Sequence, residues 1–356
     1  MTGGEPQGSQ INHNEIHIDS FSINSFALGL KHRTKAHGNL IFGCGSNCVA
    51  FGTTGGCDQV EVFQNYVRLY GRDISDRLGD LNKKEMESTD VSVMSGPRVT
   101  WGCKSVDYHD NVIVVTGADG SRVRGTFFFT EANAPGVKFR HNVVAAIALD
   151  EKTTGSGAVA LVGNHQNDAA PMLFRDNLII SNFANVNCGD SYGVGMNCRF
   201  VGNTFRRVGQ RSGYFTIRHL QGYASTGHVF VDSKFEGGAG YDAVSIRDCD
   251  GFSVAWTLTV KTVPGAEVTV QDNAGKHVFA GHASAEGLAT AELVEYNRAG
   301  TQKRLHTPHT VRRTAEENVP VRHVGRPFRA VATARKGRPT GKLFPAAHRY
   351  GAQGGC

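Results

Sequence analysis

Two neighbouring segments place polar side chains at the end of an apolar, strand-like run. Arg218 and His219 end one run, and Arg247 and Asp248 end the next. An arginine can neutralise a ligand carboxylate, and a histidine exchanges protons near neutral pH. We therefore predict that these four residues form an exposed catalytic patch on two adjacent strands. Arg218 would hold an acidic group, and His219 or Arg247 would move the proton. The alternative is that both arginines are solvated charges paired with Asp248 and Asp242.

Five further residues are candidates for binding the ligand. Glu131 and His165 are expected further along the same face, and Asp242 lies close in sequence to the second run. Tyr192 and Tyr214 have rings that could stack on a sugar. The alternative for the two tyrosines is packing between loops.

Aspartates near the patch leave two other chemistries open. Hydrolysis of a glycosidic bond needs two carboxyl groups about 5–5.5 Å or about 6.5–9.5 Å apart, and Asp190, Asp242, Asp248 and Asp250 are available. Asp232, Asp242 and Asp250 would instead suit calcium, which prefers oxygen ligands. All of these aspartates are also common turn formers. Calcium is therefore the one cofactor left open, and no metal ligand is assigned.

A short pattern recurs through much of the chain and must position these residues. It consists of an aromatic residue, two variable residues, an Asn, one variable residue and an apolar residue. The clearest copies run from Phe139 to Val144, from Phe174 to Ile179 and from Phe200 to Phe205. With partial copies, and with Ser in the last, the anchor positions are 14, 39, 65, 111, 142, 177, 203 and 233. The smallest spacing between anchors is 25 residues, and the other spacings exceed it by irregular amounts. This indicates a structural turn of fixed length with insertions between some of the turns.

This pattern predicts an all-β fold in which stacked coils share one core. Apolar and polar residues alternate over four to six positions, as in strands. One coil cannot bury its apolar side alone, whereas stacked coils can. We expect Asn142, Asn177 and Asn203 to stack in one line, with Asn in the left-handed backbone conformation of a tight turn. The aromatic rings of the pattern should stack inside.

The repeat resembles that of the right-handed parallel β-helix proteins of the pectate-lyase-like superfamily. The resemblance covers about residues 11–260 and implies the fold, but no catalytic motif of any one family matches. It implies a carbohydrate-active protein that cleaves an anionic polysaccharide by β-elimination or hydrolysis. The alternative is a non-catalytic carbohydrate-binding or adhesive surface protein.

After Trp256 the pattern changes to short strands about ten residues apart, with Asn and Gly turns. This predicts a small β-sandwich. The segment from Gly265 to Gly275 resembles transthyretin-like or Ig-like modules, which usually act as stabilising appendages. We predict a disordered start at 1–10, a β-helix at 11–253, a sandwich at 254–311 and a basic, mostly irregular tail at 312–356.

The positive net charge of +6 belongs to the tail. Residues 301–356 hold twelve of the 38 Lys and Arg but two of the 32 Asp and Glu, which leaves 26 bases and 30 acids elsewhere. We therefore expect no nucleic-acid binding by the folded body. The partner expected is a polysaccharide, and we expect a monomer.

No apolar stretch is long enough for a membrane span, and the first residues lack the pattern of a signal peptide. The repeat begins at Ile11, where a coil stack needs a cap. We therefore expect an extracellular or cell-surface protein whose cap and export signal lie on a longer chain. The charged segment 72–85 is either an excursion that lines the binding face or a solvated loop.

The cysteines leave a local disulfide open among Cys44, Cys48 and Cys57. Zinc is not favoured, because paired CxxC or CxxH spacing is absent. Cys198 is expected to be a small buried apolar residue.

Overall fold

The protein is all-β, and its larger part is a parallel β-helix, as predicted. The computed structural model describes residues 8–20, 25–45, 48–53, 56–72, 94–99, 103–129, 136–162, 171–188, 197–219, 224–314, 321–322 and 329–331. No helix occurs within these ranges, so none of the described residues forms a helix that could cross a lipid bilayer. The chain divides into two compact units: residues 1–252 with 299–301, and residues 253–298 with 302–356.

In the part of the chain that the structure describes, the first unit contains eight coils of three strands each. The first four coils contain β1 (Gln10–Asn12), β2 (Glu15–Ser20), β3 (Phe26–Leu30), β4 (Lys35–His37), β5 (Leu40–Gly45), β6 (Cys48–Thr53), β7 (Asp58–Phe63), β8 (Tyr66–Gly71), β9 (Met94–Val99), β10 (Lys104–His109), β11 (Val112–Gly117) and β12 (Arg122–Phe129). The last four contain β13 (Lys138–Arg140), β14 (Val143–Ala148), β15 (Thr154–Val162), β16 (Leu173–Arg175), β17 (Leu178–Ser181), β18 (Ala184–Cys188), β19 (Arg199–Val201), β20 (Thr204–Arg207), β21 (Phe215–His219), β22 (His228–Val231), β23 (Lys234–Glu236) and β24 (Val244–Ser245).

Every third strand pairs in parallel, which gives three long sheets. We call them sheet A (from β1), sheet B (from β2) and sheet C (from β3). Neighbouring strands lie about 4.8 Å apart, so residues in equal register form rows along the coil stack. Side chains alternate between the interior and the outer face of each sheet.

The predicted asparagines form a continuous ladder at the turn from sheet A to sheet B. The Oδ1 of Asn203 accepts hydrogen bonds from the backbone N–H and the Nδ2 of Asn177, at 3.0 and 2.8 Å. The same paired bonds link Asn14 to Asn39, Asn39 to Asn65, Asn65 to Asn111, Asn111 to Asn142 and Asn142 to Asn177. The prediction that the anchors stack is confirmed.

The left-handed residue of this turn is the one before the asparagine, so that part of the prediction is wrong. His141 has φ of 54° and Asp176 of 52°, whereas Asn142 and Asn177 have no positive φ. The asparagine amide instead bridges coils: the Nδ2 of Asn177 also donates to the carbonyl of Phe139 at 2.8 Å. Asparagine is therefore needed here for its paired donor and acceptor groups.

The aromatic rings of the pattern stack inside sheet A, as predicted. The Phe174 ring lies 6.1 Å from Phe139 and 4.7 Å from Phe200, and the Phe200 ring lies 4.6 Å from Phe230. All four side chains are buried. Cys198 is also buried, as expected. Cys44, Cys48 and Cys57 are free thiols, so the structure contains no disulfide among them.

The second unit contains a small antiparallel sheet, consistent with the predicted β-sandwich. The described strands of this unit are β25 (Gly251–Lys261), β26 (Glu267–Gln271), β27 (His277–His282), β28 (Leu288–Ala299), β29 (Gln302–Leu305), β30 (Thr310–Thr314), β31 (Val321–Arg322) and β32 (Arg329–Val331). The first two residues of β25 belong to the first unit. Four of these strands, in the order β27-β26-β30-β31, form the antiparallel sheet. Trp256, Leu258, Val268 and Leu293 are among its core residues.

Strands continue past residue 312, where we placed the start of the irregular tail. β30 pairs with β26 through residue 314, and Val311 is buried in the core of the second unit. The alternation of Val311 and Arg313 with polar neighbours is a strand signal that the basic composition obscured. The predicted excursion falls almost wholly on residues 73–93, which lie outside the described residues.

Candidate functional site

An arginine on the outer face of sheet C lies flat across two neighbouring strands. Arg218 is on β21, and its Nε donates to the Oδ1 of Asn187 at 2.9 Å. Its Nη2 donates to the carbonyl of Gly155 at 2.7 Å. Burial, followed by the nearby charge of Arg211, lowers the pKa of Arg218 to about 10. The guanidinium therefore stays positively charged at neutral pH but is largely withdrawn from water.

A second arginine reaches the same region from the turn before β21. The Nη2 of Arg211 donates to the carbonyls of Glu151 and Thr153, at 3.0 and 2.7 Å. Its Nε lies 3.4 Å from the carboxylate of Glu151, whose side chain is 72% exposed. The Nη1 of Arg211 is buried and has no hydrogen-bond partner among the described residues. One nitrogen of this guanidinium group thus keeps an unused hydrogen-bond donor.

A third arginine lies over an aromatic ring beside them. The guanidinium of Arg207 is 4.8 Å from the ring centroid of Tyr214, in cation–π contact. Its Nη2 donates to the carbonyl of Arg211 at 3.1 Å, while its Nε is buried without a partner in the described part of the chain. The Tyr214 hydroxyl donates to the Oδ1 of Asn185. Burial raises the pKa of Tyr214.

We call Arg207, Arg211 and Arg218, with Asn187 and Tyr214, the arginine face. It holds three guanidinium groups, and the one carboxylate bonded to them in the described structure belongs to the exposed Glu151. Partial burial strengthens the field of these charges because little water screens them. Such a surface favours carboxylate or sulfate groups, which match the planar donor pattern of arginine.

Two more arginines extend this positive charge along sheet C. Arg98, Phe127, Asn187 and Arg218 occupy one register row, with Ala160 between Phe127 and Asn187. The row from Arg98 to Arg218 crosses four strand steps, which is about 19 Å. The guanidinium groups of Arg124 and Arg98 lie 3.8 and 5.8 Å from the Phe127 ring.

Comparisons with protein-family models, with curated proteins and with solved structures found no match. The arginine face and the coil architecture are therefore the features that indicate a function.

His219, the residue predicted to transfer the proton, lies in the interior of the coil. The prediction that it belongs to an exposed catalytic patch is therefore wrong. Its side chain is buried, with 4% of the residue exposed, and its Nδ1 lies 3.3 Å from the carbonyl of Ser245. It pairs in register with the buried Cys188. Consecutive strand residues point to opposite faces, so an outward Arg218 requires an inward His219.

The predicted pairing of Arg218 with Arg247 is also wrong. Arg218 lies opposite Ser245, two residues earlier. Arg247 lies in the turn after β24, where its Nε and Nη2 donate to the carboxylate of Asp250 at 2.7 and 2.8 Å. Asp248 is an exposed residue of the same turn. Arg247 is therefore held by Asp250, not by Asp248 or Asp242 as the alternative proposed.

Buried polar groups surround Asp250 and His219 at the end of the β-helix. The backbone N–H of Ser225 donates to Asp250, and the Ser225 hydroxyl lies 2.9 Å from the Nε2 of His228. Burial alone would raise the pKa of Asp250, but the hydrogen bonds from Arg247 and Ser225 hold it below its ordinary value. These contacts stabilise the last coils and give Asp250 a structural role.

The structure describes two of the five predicted ligand-binding residues. Tyr214 is only 7% exposed, so it cannot offer its ring face to a sugar, and instead it supports Arg207. Asp242 is an exposed turn residue between β23 and β24. Glu131, His165 and Tyr192 lie outside the described residues.

The aspartates considered for hydrolysis or calcium do not converge in the described structure. Asp190 lies outside it, and the Asp250 carboxylate is occupied by Arg247 and Ser225. Among the described residues, no group of three or more His, Cys, Asp and Glu could hold a metal ion.

Sequence reasoning missed Arg207, Arg211, Asn185 and Asn187. A signal was present, because Arg206, Arg207 and Arg211 form a basic cluster in a body with a net negative charge. Their approach to Arg218 could not be inferred from local sequence. It depends on Arg211 reaching Glu151, 60 residues earlier.

Proposed function

We propose that the arginine face binds the acid groups of an anionic polysaccharide. The observation that carries this proposal is the pair of buried, unpartnered nitrogens on Arg207 and Arg211 beside the charged Arg218. A buried donor without a partner is unfavourable by about 1–3 kcal/mol. A carboxylate or sulfate oxygen would satisfy these donors and offset the positive charge.

The positions of His219 and Arg247 do not support cleavage by these two residues, so binding is the function that we favour. His219 is inside the coil and Arg247 is held by Asp250, so neither is placed to move a proton on a surface ligand. Cleavage of the polysaccharide by β-elimination or hydrolysis stays a proposal, to which we assign none of the described residues. Membership of the pectate-lyase-like group and an extracellular location are proposals too, supported by the coil repeat. So is a stabilising role for the transthyretin-like module, supported by its antiparallel sheet.

The test measures binding of polygalacturonate, alginate, a sulfated glycan and neutral dextran by titration calorimetry at low and high salt. We expect binding of an acidic glycan that weakens as salt screens the arginines. Arg211→Gln and Arg218→Gln should each weaken binding about tenfold or more. Arg175→Gln is the matched control, because Arg175 is exposed on sheet A. Circular dichroism checks that each variant is folded.

Reducing-end and unsaturated-product assays on the same glycans separate cleavage from binding. No acidic glycan bound at low salt would overturn the proposal. So would a loss of affinity in Arg175→Gln equal to that in the arginine-face variants.

A further inference from the structure

The turn between β14 and β15 brings a carboxylate of the chain itself to the arginine face. The turn contains Glu151, whose side chain is 72% exposed, and the Oε2 of Glu151 lies 3.4 Å from the Nε of Arg211. The Nη2 of Arg211 is held by two backbone carbonyls, and its Nη1 is buried. The Nε edge, beside the exposed carboxylate, is therefore the part of this guanidinium group that lies nearest to water.

The backbone of this turn is fixed without the help of the Glu151 side chain. The Oδ1 of Asp150 accepts hydrogen bonds from the backbone N–H and the hydroxyl of Thr153, at 2.7 and 2.9 Å. The Oδ2 of Asp150 accepts the backbone N–H of Asp119 at 2.6 Å. The bonds from Arg211 also go to backbone carbonyls of the turn. The Glu151 carboxylate can therefore move away while the turn keeps its conformation.

The contact between Glu151 and Arg211 is weak enough to be exchanged for another. Its length of 3.4 Å exceeds the usual length of a hydrogen bond between charged groups, which is about 2.7–2.9 Å. An ion pair with so exposed a partner contributes little to stability, because water screens the charges and a long side chain must be held in one place. The carboxylate is thus held loosely, whereas the guanidinium group is held by the backbone.

The Glu151 carboxylate occupies a position that an acid group of a ligand would take. A uronate carboxylate has the same planar pair of oxygens, and a sulfate group offers similar acceptors to an arginine. Both groups are repelled by Glu151 as long as its carboxylate stays beside Arg211. A ligand group that binds to the Nε edge of Arg211 must therefore replace the carboxylate of Glu151.

We propose that Glu151 is an internal competitor at the arginine face, which an acid group of the ligand displaces from Arg211. This role rests on the proposed binding of acidic glycans, and it makes Glu151 the residue that limits their affinity. Removing the charge of Glu151 should strengthen binding, whereas removing the guanidinium group of Arg211 should weaken it. A purely structural role of Glu151 would not strengthen binding when the charge is lost.

Titration calorimetry with polygalacturonate, alginate and a sulfated glycan at low salt compares the parent with Glu151→Gln. The affinity should rise about three- to fivefold, the factor that an exposed ion pair can supply. Glu236→Gln is the matched control, because Glu236 forms an exposed ion pair with Arg206 on sheet B and its substitution changes the net charge equally. The control should bind as the parent does. Circular dichroism checks that each variant is folded.

A double variant shows whether Glu151 acts through Arg211. In the Arg211→Gln background, Glu151→Gln should change the affinity by less than about twofold, because the arginine for which it competes is gone. A rise equal to that in the parent background would overturn the proposal, since a general charge effect would then explain it. Equal affinities of the parent and Glu151→Gln for every probe would overturn it as well.

Inorganic sulfate, titrated into the same variants at constant ionic strength, separates this proposal from the proposed function. If sulfate binds Glu151→Gln more tightly than the parent but no glycan binds, the competition by Glu151 is supported and the polysaccharide ligand is contradicted. If Arg211→Gln weakens glycan binding but Glu151→Gln leaves it unchanged, the proposed function is supported and the role of Glu151 is overturned. If neither probe binds any variant, both proposals are overturned.

Discussion

The side-chain oxygen of Asn177 accepts two hydrogen bonds from Asn142, one from its backbone N–H at 2.9 Å and one from its Nδ2 at 3.1 Å. From Asn39 to Asn203, each asparagine of the ladder thereby accepts the hydrogen bonds of its neighbour inside a tight, buried turn. A buried backbone N–H without a partner is costly, so the ladder holds coils 1 to 7 in register.

Asn177→Ala should lower the free energy of unfolding by about 1–3 kcal/mol, because it leaves the buried backbone N–H of Asn142 without its acceptor and removes the bonds from the Nδ2 of Asn177 to Asn203 and Phe139. Asn14→Ala is the matched control. Asn14 is exposed and has a ladder bond to one neighbour only, Asn39. Its substitution should therefore lower the free energy of unfolding by about 1 kcal/mol or less. Urea unfolding of both variants measures the difference, and equal losses would show that the buried ladder is not what stabilises the turn.

Phe174→Ala should cost about 3–5 kcal/mol, because it opens a cavity between the rings of Phe139 and Phe200. Phe63→Ala removes a ring that stacks between His37 and His109 but is partly exposed to water. That variant should cost clearly less. Denaturant unfolding compares the two, and a loss below about 1 kcal/mol for Phe174→Ala would contradict its place in the core.

Arg247→Gln should destabilise the protein by about 1.5–3 kcal/mol near neutral pH, because Asp250 loses a charged hydrogen-bond partner. The pKa of Asp250 is lowered in the fold, so its contribution is present above the ordinary value of 3.8 and is lost as the pH falls through the folded pKa. The difference between parent and variant should therefore shrink as the pH falls below about 4. Unfolding measured from neutral to acid pH checks this, with Arg175→Gln as a control expected to match the parent. A difference that stays constant into strong acid would show that Asp250 does not carry it.

Ending the chain after His309 should lower the melting temperature of the second unit, because it removes β30 and the buried Val311. Ending it after Val331 keeps every described strand and should leave that transition nearly unchanged. Calorimetry of both truncations compares the melting transitions. Equal transitions for the two would mean that β30 adds little to the unit.

The asparagine and phenylalanine repeat was sufficient to predict the coil stack. Asn142, Asn177 and Asn203 make the same hydrogen bonds in the same repeated turn. The same residue type therefore recurs at each turn, and the repeat is visible in the sequence. The sequence also indicated that Arg218 faces outward, since it follows the core residue Ile217 in an alternating strand.

The composition of the candidate site was decided by the tertiary structure. Arg218 and His219 are adjacent in sequence, yet alternation along the strand sends one to the surface and the other into the core. Arg211 joins Arg218 because its side chain spans coils to Glu151, a contact between residues 60 positions apart. The register that pairs Arg218 with Ser245 rather than Arg247 depends on the length of the turn before β24. Local sequence fixes the conformation of each coil, but the insertions between strands set which side chains meet, and only the folded chain shows them.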